Sequence, residues 1–232
     1  MSALLGRCRR WAVGASAVSA GLGLWLGAGA GELPSAVAVM TAGPVARPCS
    51  VPRGVHATQV VVVVSSGSRA TIRACRKVSG RYLTQLGPYS GHVGFGGVTS
   101  RKREGDGRTP AGTFALLGGF GATANPGLRA ASWLRVDPRD VWVDDPRSRF
   151  YDLHERTPVR GRWASAEKML QRPAYDDAQV IGWNLARTPG RGSAIFLHVD
   201  LGRSTAGCVS LPASALRSVL RWERSGAVIS IR

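Results

Sequence analysis

Val60-Val61-Val62-Val63-Val64-Ser65-Ser66-Gly67-Ser68-Arg69-Ala70-Thr71-Ile72-Arg73-Ala74-Cys75-Arg76 sets an unbroken valine run, a glycine turn and a second short run in succession. Short β-rich runs broken by glycine point to strands that pair antiparallel. Arg81 to Leu86 continues the pattern. Further strand candidates follow at Thr113–Leu117, Trp133–Val136, Val141–Asp144, Val180–Trp183, Ile195–Val199 and Val228–Ile231. Helix signals are few. Ala166–Gln171 is short, and Pro212–Arg224 places Leu216, Val219, Leu220 and Trp222 near helical spacing behind an initiating proline. The expected fold is mainly β with one or two short helices. At 232 residues and 44% hydrophobic content, one folded domain over residues 59–232 is the natural reading.

Ahead of that domain, Arg7, Arg9 and Arg10 precede an uncharged stretch from Trp11 to Gly31, rich in Ala, Gly, Leu and Val. This is the pattern of a secretory signal peptide over residues 1–42, with small-residue cleavage options after Ala30 or Ala38. Five glycines between Gly14 and Gly29 make it a poor membrane anchor. Residues 43–58, with Pro44, Pro48 and Pro52, read as a linker. The expected location is outside the cytoplasm, secreted or in the cell envelope.

Export decides how the four cysteines are read. Cys8 leaves with the signal peptide, and three remain in an oxidising compartment. Three pairings are open, of which Cys49 with Cys75 is the economical one. Closing that loop is worth about 3 to 4 kcal/mol in the chain-entropy account. Cys208 is then left as a free thiol, a state that suits a nucleophile better than a packing residue.

The net charge of +17 is almost wholly arginine, because Lys77, Lys102 and Lys168 are the only lysines. Such a chain seeks polyanions or simply carries charge for solubility. No zinc-finger spacing, RNP-like strand or long basic helix is present, so specific nucleic-acid binding is not expected. For an exported protein the nearer partners are the peptide carboxylates and anionic polymers of the cell wall.

His198 precedes Cys208 by ten residues in Ile195-Phe196-Leu197-His198-Val199-Asp200-Leu201-Gly202-Arg203-Ser204-Thr205-Ala206-Gly207-Cys208-Val209-Ser210. A buried strand over Ile195–Val199, a turn over Gly202–Gly207 and Cys208 as the first residue after it would set His198 beside Cys208. A neighbouring imidazole makes a thiol a useful nucleophile by taking its proton. Gly207 lets the backbone approach closely, so that N–H groups near Cys208 point at a developing oxyanion. The plainer alternative makes Cys208 a small buried apolar residue and His198 a satisfied core histidine.

Glu104-Gly105-Asp106-Gly107-Arg108-Thr109-Pro110-Ala111-Gly112-Thr113-Phe114 is the other dense motif. It is either a surface hairpin loop with a Glu/Asp/Arg network or a loop bordering the cleft, with Arg108 available to a carboxylate. Glu104 and Asp106 share one loop and lack the opposed placement of a glycosidase pair. Tyr151, Trp183 and Asn184 are further candidates for the cleft lining, Trp183 fitting equally well as core. His56, His92 and His154 show no metal-ligand spacing, so neither metal nor cofactor is expected.

His198, the Thr205–Ser210 segment and the upstream Thr109-Pro110-Ala111-Gly112-Thr113-Phe114 together resemble the L,D-transpeptidase (YkuD) family, over about Val60 to Arg232. Two positions depart from the family pattern. Ala206 stands where a second histidine is usual, and Ser210 where arginine is common. The short His198–Cys208 spacing implies a trimmed loop and a more open cleft.

The resemblance implies a β-sandwich enclosing Cys208 as nucleophile and His198 as general base, with Gly207, Val199 and Thr205 as support. The Val199 carbonyl is the implied orienter of the imidazole, with the Asp200 side chain pointing away. It further implies acyl transfer through a Cys208 thioester on peptidoglycan stem peptides, either as L,D-transpeptidation or as L,D-carboxypeptidase cleavage, by a monomer. Arg108, Tyr151 and Asn184 are the expected substrate contacts. The competing expectation is a catalytically inactive, basic, envelope-binding module of the same fold.

Overall fold

Valines at both odd and even positions of a strand need cover on both faces, and the fold supplies it twice over. The structure, a computed structural model, describes residues 47–158 and 160–232. The signal peptide expected over residues 1–42 lies outside them, as do the first four residues of the expected linker. Val61 and Val63 face a core shared with Ile72, Leu197, Leu216 and Ile229. Val60 and Val62 face the opposite way, with Cys75, under Cys49, Val51, Val55 and Ala57. Residues 47–58 therefore form a strap over the outer face of the sheet. The Cys49 N–H donates to the Tyr82 carbonyl at 2.9 Å, the Thr84 N–H to the Arg47 carbonyl at 2.8 Å, and the Tyr82 hydroxyl to the Ala57 carbonyl at 2.7 Å. The Cys49–Cys75 disulfide fastens it. Proline here stiffens a segment whose hydrogen bonds go to its neighbour rather than to itself.

The chain then runs through β1 (Gln59–Ser66), β2 (Arg69–Val78), β3 (Arg81–His92), β4 (Val98–Thr99), β5 (Thr109–Pro110), β6 (Gly112–Gly121), β7 (Trp133–Arg135), β8 (Asp140–Val143), β9 (His154–Arg156), β10 (Ala166–Lys168), β11 (Ala178–Ile181), β12 (Phe196–Val199), β13 (Val209–Leu211), α1 (Ala213–Trp222) and β14 (Val228–Ile231). The fold is mainly β. β1, β2 and β3 pair antiparallel in series, and β1 also pairs parallel with β14. The large sheet runs β11-β12-β13-β3-β2-β1-β14-β6-β7, and β6 returns to β11 with Ala178 opposite Phe120 and Gln179 opposite Gly119. That last pairing closes the sheet into a barrel and leaves β7, paired with β6, as an edge strand.

α1 buries Ala215, Leu216, Val219 and Leu220 in the barrel core and packs against β12 and β3. It begins directly after Pro212, whose missing N–H costs nothing at a helix start. Among the described residues it is the one α-helix. The short helix expected over Ala166–Gln171 is instead β10, with Ala166 opposite Val143 and Glu167 opposite Trp142 on β8. Six residues cannot nucleate a helix alone, and a free edge of β8 offers backbone partners at once. The small sheet β10-β8-β9 lays Trp142 and Met169 against Phe120, Tyr175 and Phe196. Phe196 sits at the centre of edge-to-face contacts at 5.0 Å to Phe120, 5.2 Å to Trp142 and 5.7 Å to Tyr175. Cys208 lies in this aromatic cluster.

Candidate active site

β12 and β13 are parallel neighbours, with Leu197 opposite Val209. The register sets Cys208, one residue ahead of β13, beside Phe196, and His198, opposite Ser210, two pairs further on. Both side chains line the same cavity of about 620 Å³. The Phe196 N–H donates to the Cys208 sulfur at 3.3 Å, and the thiol donates to the Ala194 carbonyl at 3.3 Å. Ala194 is itself held, in a left-handed conformation, by its N–H to Asp152 at 3.1 Å.

His198 is 7% exposed, and its Nδ1 lies 2.8 Å from the Val199 carbonyl. A carbonyl only accepts, so Nδ1 carries the proton and Nε2 keeps its lone pair. Nε2 has no partner among the described residues. Tyr175 stands edge-on to the imidazole at 5.3 Å. Asp200 does not touch it: its carboxylate takes the His92 Nδ1–H and the Ser210 hydroxyl, both at 2.9 Å, on the wall of a separate concavity.

Thr205 and Gly207 belong to the same cavity. The Thr205 hydroxyl donates to the Cys208 carbonyl at 2.7 Å and accepts the Gly207 N–H at 3.1 Å. The Thr109 hydroxyl approaches the same carbonyl at 3.3 Å, which ties the glycine-rich loop to the nucleophile. The Gly207 N–H is committed, whereas the Cys208 N–H has no acceptor among the described residues and is open to an oxyanion. Gly207 has φ +151°, and a Cβ there would lie 3.1 Å from the Arg108 carbonyl. The loop passes too close for a side chain.

Cys208, His198, Gly207 and Thr205 are thus brought together, with Val199 contributing its carbonyl. Arg108, Tyr151 and Asn184 do not line the cavity. The exposed Arg108 side chain runs over Gly96, where a Cβ would meet its Cγ at 2.7 Å. Tyr151 is 2% exposed and supports the wall from behind, its hydroxyl bonded to the Glu104 carboxylate and accepting the Gly192 N–H at 3.1 Å. Asn184 closes the 184–192 loop through the Thr188 and Gly192 carbonyls, both at 3.1 Å. Trp183 meets Phe114 edge-on at 5.5 Å.

The reading of the Glu104 loop as a border of the cleft places Glu104 at the cavity, whereas sequence reasoning missed the other charges of its wall: Lys102, Asp144, Glu167 and Arg203. Lys102 and Glu104 share the β4–β5 loop, Asp144 directly follows β8, Glu167 lies on β10, and Arg203 comes from the turn between β12 and β13. Burial pushes the Cys208 thiol up to about 12, and the Glu167 carboxylate pushes the same way. The Phe196 N–H, the Tyr175 hydroxyl and the Lys102 ammonium pull against them. Burial holds the imidazole of His198 below its ordinary value, against the Val199 carbonyl and the Asp200 charge. The resting pair is therefore thiol and neutral imidazole, and the sulfur must give up its proton as it attacks. Comparison with known protein families, with curated proteins and with solved structures finds no match for this chain.

Proposed function

We propose that this chain is an exported cysteine acyltransferase of the L,D-transpeptidase type, acting on peptidoglycan stem peptides through a Cys208 thioester. The observation that carries the reading is one cavity holding a thiol, an imidazole with a free Nε2 and an uncommitted backbone N–H at the thiol's own residue. The Cys208 proton passes to His198 Nε2 as sulfur attacks the carbonyl of an L,D-peptide bond. The oxyanion is received by the Cys208 N–H, a kind of contact whose loss typically costs about 3 kcal/mol. The imidazolium protonates the leaving D-amino acid amine, and an acyl thioester remains. A second stem amine then gives a cross-link, whereas water gives hydrolysis.

The closed sheet is taken here as a variant of the β-sandwich that the family resemblance implies. The Cys49–Cys75 disulfide supports the exported location, because such bonds persist in oxidising compartments. The proposed partners are stem peptides and the anionic polymers around them, met by a monomer without specific nucleic-acid affinity. A second reading, an inactive wall-binding module, is favoured by one observation: a thiol held at about 12 in its resting state.

The deciding experiment is intact-protein mass spectrometry with a carbapenem, alongside Cys208→Ala. The expected result is a stoichiometric adduct on the native protein that vanishes in the variant, followed by loss of the terminal residue from a stem tetrapeptide. No adduct on a protein whose Cys208 is demonstrably reduced overturns the acyltransferase and leaves the binding module.

A further inference from the structure

In a chain that uses arginine for nearly every cation, one of its three lysines is buried. Lys77 and Lys168 are exposed, whereas the Lys102 side chain is 3% exposed. Taking an ammonium out of water costs several kcal/mol even after the protein relaxes, so its seat has to be built. The seat is Asp106 Oδ1 at 2.6 Å and the Arg103 carbonyl at 2.8 Å. Asp106 is fully engaged in turn, taking the Arg103 N–H at 2.8 Å and the Arg108 N–H at 2.9 Å. Burial works against its charge, but the bonds from Lys102 and these two N–H groups outweigh it and hold the carboxyl below its usual range.

Gly192 makes room for this side chain, and Gly207 marks where it ends. A Cβ at Gly192 would lie 3.0 Å from Lys102 Cε, and one at Gly207 3.7 Å from Nζ. The ammonium thus ends at the cavity wall against the residue that precedes the nucleophile. Two of its three N–H groups are occupied, and the third has no partner among the described residues. A loop clasp alone would not require a desolvated full charge at this wall. Lysine also suits the position better than arginine, being a compact point charge with donors in three directions.

We infer that the Lys102 ammonium, seated by Asp106, is the electrostatic partner of Cys208, stabilising the negative charge that forms first on its sulfur and then on the oxygen of the attacked carbonyl. The inference rests on the cysteine acyl-transfer reading above. Bond-making is unchanged: the sulfur's proton goes to His198 Nε2, the S–C bond forms, and the carbonyl π pair moves to oxygen. Lys102 exchanges no proton and acts through its fixed charge. The glycine-rich loop 104–108 is then the mount of a charge as well as a border of the cleft.

The test is the rate of Cys208 alkylation by iodoacetamide between pH 6 and 9, followed by intact mass on the full exported domain. It compares the native protein with Lys102→Met, Lys102→Arg and Asp106→Asn, with Cys208→Ala as blank. Alkylation follows the thiolate fraction, so removing the charge should slow it at least tenfold at pH 8, with a parallel loss in carbapenem acylation. Lys102→Arg, keeping the charge, should stay within about threefold of native. A folded Lys102→Met with native alkylation rates overturns the inference while leaving the nucleophile intact. If Lys102→Met fails to fold, Asp106→Asn decides, since it keeps the ammonium but unseats it: slower alkylation supports the inference and native rates overturn it. A native Cys208 inert at every pH removes the acyl-transfer reading itself, and the inference with it.

Discussion

The thiol of Cys208 is poised between opposed charges, Glu167 raising and Lys102 lowering the cost of its ionisation. Glu167 is bonded to the Tyr175 hydroxyl, and its own carboxyl is pushed up, mainly by burial. Glu167→Gln keeps an acceptor for Tyr175 and removes the negative charge. Its expected effect is a several-fold faster alkylation of Cys208 at pH 8, opposite in sign to that of Lys102→Met; a slower rate would show that Glu167 acts through packing instead. Burial, aided by Glu167, keeps the free thiol protonated at rest and so protects it, since oxidation begins from thiolate. The residues legible in sequence are those that share one short stretch: His198, Thr205, Gly207 and Cys208. Asp144 and Glu167 reach the same cavity because β10 adds to β8, so no local pattern announces them, whereas Lys102 and Glu104 arrive with the glycine-rich loop that Thr109 ties to Cys208. Tyr151 and Asn184 carry suitable chemistry but spend it on the loop frame, and the Arg108 side chain lies exposed over Gly96, outside the cavity.

Strands with strong local signals were read within a few residues, while the segments decided by a distant partner were not. The valine run, the antiparallel series of β1 to β3 and helix α1 belong to the first kind; the strap and β10 belong to the second. Closure is decided further still from any local pattern, by β6 bonding to β11 across 58 or more residues of chain. At the foot of α1, a different distant pairing brings Glu223 against β11. Glu223 is wholly buried, and its Oε2 accepts the Gln179 amide at 3.1 Å. Burial pushes this carboxyl up to about 7, against the opposing Gln179 bond. Its folded value thus lies above its unfolded one, so its contribution to stability is full below about pH 4.5 and is lost as pH rises toward 7. At about 1.4 kcal/mol per pH unit, the loss amounts to about 3 kcal/mol. Asp152, raised to about 6, adds to this slope at lower pH, and neutral His198 opposes it. The difference between native protein and Glu223→Gln cancels both. That difference should grow in favour of the variant from pH 5 to 8, read as a rise in relative Tm of several degrees for a domain of this size. A pH-independent difference would mean that Glu223 is already neutral or water-exposed throughout.

Charge is unevenly divided over the molecule. No Asp or Glu occurs between Glu32 and Glu104, whereas three of the 14 acidic residues, Glu104, Asp144 and Glu167, line the one cavity that holds the thiol. The acid-free segment builds the strap and β1 to β3. On its outer side Arg47, Arg73 and Arg232 line a concavity of about 270 Å³ together with Ser50 and Thr84, with no Asp or Glu among its lining. Three like charges around one hollow repel each other, and a bound anion relieves that repulsion. The barrel therefore carries an arginine-lined hollow on one side and a partly acidic cavity on another, and the proposed acyltransferase would use the first to hold a wall polymer while working on its stem peptides. Diffuse charge gives a different expectation, and the two separate by mutation at constant net charge. Arg47→Gln/Arg73→Gln/Arg232→Gln and a control triple at Arg129, Arg135 and Arg160, all exposed and without a partner among the described residues, lose the same three charges. Binding to a poly(glycerol phosphate) chain, measured against salt, should weaken and lose slope in the first triple, by somewhat under one unit for each phosphate contact removed. The control should stay within about twofold of native. Equal losses in both would make the attraction a property of net charge alone, and the anionic polymer would cease to be a partner with a place on the fold.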